Sequence, residues 1–410
     1  MSLAGRRWFA GKGRRVREVE LIDRVVPPEA EGAAVALAAV SFEDGGTDRY
    51  ALPVRVDGGV ARECTADDPL WPALGRLVAA DPGSVPDGPG RALSDDQSHT
   101  SVVLGEAVVV KLYRALAPGP FPEAEVLEAL DGLKGVPRFL GSLARGEGAD
   151  STPLVVLQEY VPVLEAGWEP FIERVVGIAA GQPATDPIAD AVRFGELAAE
   201  IHVRLAERLG VQTATAEALA LRRAAAEASL DQALELLDAD ARETLARARD
   251  PLREELALFD RCAGTPLCRI HGDLHIGQVL RRAGGGLSVV DFEGEPGRPP
   301  RERAAPWTPL RDVASLLLSF DNAAAAAARR ARARGLPVLP LEHWSDEARV
   351  AALAAWEDGV RGSALRPDSA ALRASLAEKQ VSELLYAARY LPEWLYAPLA
   401  VLERRFTGAA

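Results

Sequence analysis

The chain holds 410 residues, 48% of them hydrophobic, which is enough for two or three domains around a sizeable core. Its formal net charge of −13 argues against nucleic acid or an anionic membrane as partner, since both attract basic surfaces, and favours a neutral or cationic small molecule. No stretch approaches the ~20 uncharged apolar residues that a membrane span needs, and no apolar segment follows the basic residues at the start, so the expectation is a cytoplasmic protein; the oligomeric state is left open, with a monomer favoured.

In chain order, the first ninety residues read as a β-rich cap. Apolar runs at Ala34 to Phe42 and Tyr50 to Val56 are separated by Asp44-Gly45-Gly46 and followed by Asp57-Gly58-Gly59. The Pro- and Gly-rich stretch from Ala80 to Arg91 reads as a linker, which predicts a domain boundary there, with a cap at 1–90 and a separate β-rich segment at 91–162. Strands are expected at Ser101 to Leu104 and Ala107 to Tyr113, then a helix from Pro122 with Glu123 and Glu125 in its first turns, then a strand at Leu154 to Leu157. From Trp168 the pattern turns helical, with three- and four-residue apolar spacing over Phe194 to Leu209 and long Ala-, Leu- and Glu-rich segments, so 163–410 is predicted to be mostly α. Three cysteines, Cys64, Cys262 and Cys268, suit neither a disulfide framework nor a zinc site and are read as buried or idle thiols.

The chemistry is concentrated between Ile270 and Glu295. Asp273 lies in a turn-like His-Gly-Asp stretch, Gln278 follows it, and Asp291 ends the apolar run Leu287-Ser288-Val289-Val290 after a Gly-rich turn. In-line transfer of a γ-phosphoryl group needs a divalent cation on the phosphate oxygens and a carboxylate that orients the acceptor hydroxyl. Magnesium prefers hard oxygen ligands, so Asp291 and Gln278 form a suitable pair, with Glu293 close enough in sequence to assist. Asp273 is then free to receive the hydroxyl proton.

Upstream, Lys111 ends the run Val108-Val109-Val110, a placement that suits a lysine reaching the phosphates of ATP, and Glu125 on the next helix is the expected partner that holds it. The turn containing Ser98, Thr100 and Ser101 offers small hydroxyl residues and accessible backbone N–H groups to phosphate, and Gln158, Tyr160 and Val161 offer backbone groups to adenine. Taken singly, Ser98 and Thr100 are more often ordinary turn formers. His271 and His275 read as orienting groups of the catalytic turn rather than metal ligands, because they lack a third partner. His202 and His343 belong to no constellation and read as surface or core histidines.

At these residues the chain resembles the aminoglycoside phosphotransferase-like kinase superfamily, and within it the maltokinase-like group. The likeness rests on His271 to Leu280 and Val290 to Pro296, including Gln278 where most of the superfamily has asparagine, on Trp8-Phe9-Ala10-Gly11-Lys12, Phe194-Gly195-Glu196-Leu197 and Arg311-Asp312-Val313-Ala314. It spans nearly the whole chain and implies an α+β, bilobal, protein-kinase-like fold with an N-terminal β-rich cap and a helical C-terminal lobe. It also implies ATP and Mg2+ as cofactors. The stretch Glu378 to Tyr390 departs from the maltokinase pattern and is similar to a related group of glucosamine kinases, which phosphorylate the 6-hydroxyl of glucosamine. Gln380, Ser382 and Glu383 are polar groups suited to a protonated amine, Trp394 suits stacking on a sugar ring, and His275 lies beside the acceptor. Maltose, an aminoglycoside antibiotic, or nucleotide binding without catalysis are the competing readings.

Overall fold

The computed structural model describes residues 8–9, 11, 13–93, 99–148, 151–183, 185–295 and 298–407. Two compact units are formed, Met1–Pro162 with Gly297–Ala304, and Val163–Pro296 with Ala305–Ala410.

The first unit opens with an antiparallel meander of β1 (Val16–Val25), β2 (Ala33–Phe42), β3 (Thr47–Asp57) and β4 (Val60–Glu63). After α1 (Leu70–Val78), a second sheet contains β5 (Arg91–Ala92), β6 (His99–Leu104), β7 (Val108–Tyr113), β9 (Phe139–Arg145) and β10 (Thr152–Glu159), in the order β5-β6-β7-β10-β9. The short β8 (Ala115–Leu116) pairs with β3. Helix α2 (Pro122–Ala129) follows β8, and the short α7 (Pro300–Arg303) also belongs to this unit.

The break expected near residue 90 does not separate two compact units. Val35 and Leu37 of β2, Trp71 and Leu74 of α1, Val110 and Leu112 of β7, and Val155 and Leu157 of β10 share one buried cluster. A one-layer meander has an apolar face to cover, and here α1 and the second sheet cover it. The supposed linker folds back as well, with Asp81 capping a turn at Pro82–Ser84 and Val85 buried.

The second unit holds a small sheet, β11 (Val163–Ala166), β14 (Val279–Arg282) and β15 (Leu287–Val289), in the order β11-β14-β15. A separate two-stranded sheet pairs β12 (Gln212–Thr213) with β13 (Pro266–Leu267). The rest is helical: α3 (Trp168–Ala179), α4 (Thr185–Leu209), α5 (Ala216–Leu236), α6 (Ala239–Leu256), α8 (Leu310–Ala333), α9 (Glu342–Gly359), α10 (Ser369–Tyr390) and α11 (Tyr396–Phe406). Thr215, Asp238 and Asp368 accept backbone N–H bonds at the starts of α5, α6 and α10, satisfying donors that a helix terminus otherwise leaves open. Residues 310–324 of α8 are all buried, and Asp312 on this helix holds the turn at His271 and Gly272. The Ala-rich second half of α8 stays helical, as the helix propensity of alanine predicts. All three cysteines are buried, and among the described residues no helix is long and apolar enough to cross a membrane.

Candidate active site

In the first unit, β6 and β7 pair with Ser101 opposite Lys111. Lys111 is buried, and its ammonium lies 2.9 Å from Glu123 Oε2. The Tyr113 hydroxyl donates to the same carboxylate. This corrects the expected partner, Glu125, which is exposed. Positions 123 and 125 lie about 200° apart around a helix, and of the two only Glu123 is buried, on the same stripe as the buried Val126 and Leu127. Two acidic residues in one first turn look alike in sequence; the buried residues at three- and four-residue spacing tell them apart.

Ser98 lies outside the described residues. The Thr100 hydroxyl accepts a bond from Arg114 at 2.9 Å, and Ser101 is buried. Gln158 sits on β10 between β7 and β9. The Glu159 and Tyr160 amides already donate to Arg138 and Ala107 carbonyls, both at distances of 2.8–2.9 Å, while the Tyr160 hydroxyl accepts from Arg91 and Val161 is buried.

In the second unit, the catalytic turn is suspended from a buried relay. The Trp356 indole N–H donates to His202 Nδ1 at 2.9 Å, which leaves the proton of a neutral His202 on Nε2, 3.0 Å from Asp312 Oδ2. Asp312 in turn accepts the backbone N–H groups of His271 (2.8 Å) and Gly272 (2.9 Å). Burial favours the neutral acid, but these bonds and the nearby histidines hold Asp312 below its ordinary value. His202, unassigned from sequence, is therefore part of the scaffold of this turn. His271 Nδ1 faces the Asp273 N–H and its Nε2 lies 3.0 Å from the Val290 carbonyl, which ties the turn to the segment carrying Asp291. Gly272 has φ +86°, and a Cβ there would lie 3.1 Å from Gly294 Cα, so two loops meet where only glycine fits.

Gln278 and Asp291 are brought together. The Gln278 amide donates to Asp291 Oδ2 at 3.3 Å, and the Gln278 carbonyl accepts the Val290 N–H. Asp291 adopts φ +67°, a left-handed conformation that Asp tolerates better than most residues and that its neighbours must hold in place. Glu293 is half-buried two residues on.

Asp273 has a partner that sequence reasoning missed. Lys379, on α10, places its ammonium 3.0 Å from Asp273 Oδ1 and 3.8 Å from Glu295 Oε1. Glu295 is also held by Ser382 at 2.6 Å and by Arg311 at 2.7 Å. Burial would raise the Asp273 carboxyl, but the charge of Lys379 and the contact with His275 outweigh it and hold the group well below the usual carboxylate range. His275 accepts the Gly277 N–H through Nδ1, and its Nε2 lies 3.7 Å from Asp273 Oδ2. The legible signal for Lys379 was spacing: Lys379, Ser382 and Glu383 fall on one helical stripe.

The same spacing places Gln380 with Leu384 and Ala387 on the buried stripe. Gln380 is fully buried and donates to the Pro398 carbonyl at 2.8 Å, so it joins α10 to α11; this corrects its expected place at the sugar. Glu383 is half-buried and accepts a bond from Asn322 at 2.8 Å; burial raises its carboxyl above the ordinary value. Nearby rings form an aromatic wall. Trp168 stacks on His275 with centroids 5.6 Å apart, and Trp394 lies 6.0 Å from Trp168. Gly277 makes room for this stack, since a Cβ there would meet the Trp168 indole nitrogen at 2.5 Å.

Comparison with known proteins places this geometry in context. Residues 89–353 match the Phosphotransferase enzyme family, and residues 3–68 match the Maltokinase N-terminal cap domain. A glucosamine kinase from Mycolicibacterium smegmatis is 33% identical over 319 residues, covering 76% of this chain and 78% of that protein. One from Streptacidiphilus jiangxiensis is 32% identical over 377 residues, covering 85% and 84%. The solved structure of a glucosamine kinase in complex with glucosamine, ADP and inorganic phosphate superposes with a TM-score of 0.78 at 28% identity, over 98% of this chain and 97% of that one.

Proposed function

The chain belongs to the Phosphotransferase enzyme family, and from that premise we propose that it is an ATP-dependent glucosamine kinase that transfers the γ-phosphoryl group to the 6-hydroxyl. Asp273 accepts the hydrogen bond of the acceptor hydroxyl and takes its proton late. A carboxylate held this far below its ordinary range is a weak base, but a loose transition state asks it first to orient the oxygen. Lys111, kept charged and aimed by Glu123, meets the nucleotide phosphates. With the Glu159 and Tyr160 amides already committed, an adenine edge reading the end of β10 meets Val161.

The donor set at Gln278 and Asp291 fits Mg2+: a carboxylate and an amide that can turn its oxygen outward, with the remaining coordination left to phosphate and water, which is how this ion is usually held. Gln278 and Asp291 would hold such an ion, and the chemistry it would supply there is neutralisation of charge on the phosphate oxygens. Glu293 stands in reserve two residues away.

The observation that carries the acceptor assignment is the face of α10. Lys379, touching Asp273, and Glu383 lie four residues apart on one face of the helix, about 6 Å along the axis. That rise is of the order of a pyranose ring, so a hexosamine with its 6-hydroxyl at Asp273 sets its amine toward Glu383. A carboxylate beside an ammonium gains a charge-assisted hydrogen bond that a neutral sugar does not supply. The Trp168 and Trp394 rings give the apolar face of the sugar a wall.

Purified protein assayed with ATP against glucosamine, glucose, maltose and an aminoglycoside tests this reading. Glucosamine is expected to be turned over with the highest kcat/KM and to yield the 6-phosphate; turnover of maltose without glucosamine would overturn it.

A further inference from the structure

We propose that Lys379 is a positioning residue of the phosphoryl transfer, fixing Asp273 by one oxygen so that the other meets the acceptor hydroxyl. The inference rests on Asp273 being the acceptor-facing carboxylate.

Lys379 reaches Asp273 from a different element, 106 residues further along the chain, and is only 4% exposed. It contacts Oδ1 at 3.0 Å, whereas Oδ2 is the oxygen turned toward His275 at 3.7 Å. A carboxylate free to rotate presents either oxygen; one anchored through Oδ1 presents the other in a single direction. The anchor is itself braced. Glu295 lies 3.8 Å from the ammonium and is held by Ser382 and Arg311, and Arg311 also donates to the Gly272 carbonyl at 3.0 Å. The catalytic turn and α10 therefore meet through one continuous set of charged bonds.

Charge has a second effect. The groups facing Asp273 are His275 from its own turn, Lys379 and Glu383 from α10, Glu295 from the segment after Asp291, and Arg311 from α8 behind Glu295. Glu383 and Glu295 disfavour a further negative charge, and burial does the same; Lys379 is the nearest full positive charge opposing them. Without it, the partly buried Asp273 is left beside the Glu383 and Glu295 carboxylates and takes up a proton at higher pH.

The test compares wild type with Lys379→Gln, which keeps a donor but no charge, Lys379→Met, which keeps neither, and Asp273→Asn. Melting temperatures establish that each variant is folded, and Lys379→Gln carries the test if Lys379→Met does not fold. For the Lys379 variants, kcat is expected to fall on the order of 10- to 100-fold, with Lys379→Gln retaining the greater share, while KM for ATP changes less than about threefold. The acid limb of the kcat profile is expected to move to higher pH in both, a displacement that a merely structural role would not produce. A folded Lys379→Gln with wild-type kcat and an unmoved acid limb, beside an inactive Asp273→Asn, overturns the role of Lys379 alone. A fully active Asp273→Asn overturns this inference together with the functional reading beneath it.

Discussion

Each unit of this protein contains a buried lysine bound to a carboxylate, and the two pairs are almost the same in metric terms. Lys111 and Glu123 are 2.9 Å apart with side chains 5% and 1% exposed; Lys379 and Asp273 are 3.0 Å apart with side chains 6% and 13% exposed. Their assignments run in opposite directions. In the mechanism proposed above, the lysine is the working group of the first pair and the glutamate holds it, whereas in the second the aspartate works and the lysine holds it. A buried ion pair alone is weak evidence for stability, because desolvation opposes the attraction, and its retention makes more sense where one partner must be charged and fixed for another purpose. Exposure points to that partner in the second pair, where the aspartate is the less buried of the two. In the first pair both side chains are sealed, and the assignment rests on the strand that ends at Lys111.

The comparison can be broken at either pair. Asp273→Asn removes the proton acceptor while preserving shape, and the rate of glucosamine phosphorylation is expected to fall by roughly 10²–10⁴-fold; a variant within a few-fold of wild type would show that another group takes the proton. Lys111→Met is expected to lower kcat/KM for ATP by about 10²-fold while leaving glucosamine affinity close to wild type, as read by steady-state kinetics in each substrate. Glutamate substitutions then sharpen the first pair. Glu123→Gln, which weakens the hold on Lys111, is expected to cost about tenfold in kcat/KM for ATP, whereas the exposed Glu125→Gln changes it by less than about twofold. Equal effects at 123 and 125 would contradict the assignment of the holder.

Much of this was legible in the sequence because it is local. The order Asp273, Gln278, Asp291 lies within a short segment, and the hairpin of β14 and β15 between Gln278 and Asp291 follows from an apolar run and a Gly-rich turn. The apolar runs and turns likewise announce β2 and β3 of the meander, but not β1 or β4. What was not legible is carried by side chains distant in sequence. Lys379 meets Asp273 across 106 positions, and Asp312 meets His271 across 41. Spacing could have separated Glu123 from Glu125 and Gln380 from Glu383, since helical stripes are local, but it cannot say which stripe a distant element will cover. The sharing of one core by residues on either side of position 90 is of this second kind: a Pro- and Gly-rich stretch marks a turn of the chain, and whether a domain ends there depends on what packs across it.

The most direct measurement of this division of labour is calorimetric titration of ADP and of glucosamine into folded Lys111→Met and Asp273→Asn. The account predicts that Lys111→Met loses affinity for ADP alone and that Asp273→Asn binds both ligands within a few-fold of wild type yet transfers phosphate roughly 10²–10⁴-fold more slowly when ATP and glucosamine are supplied together. Loss of ADP binding in Asp273→Asn, with Lys111→Met unaffected, would contradict it.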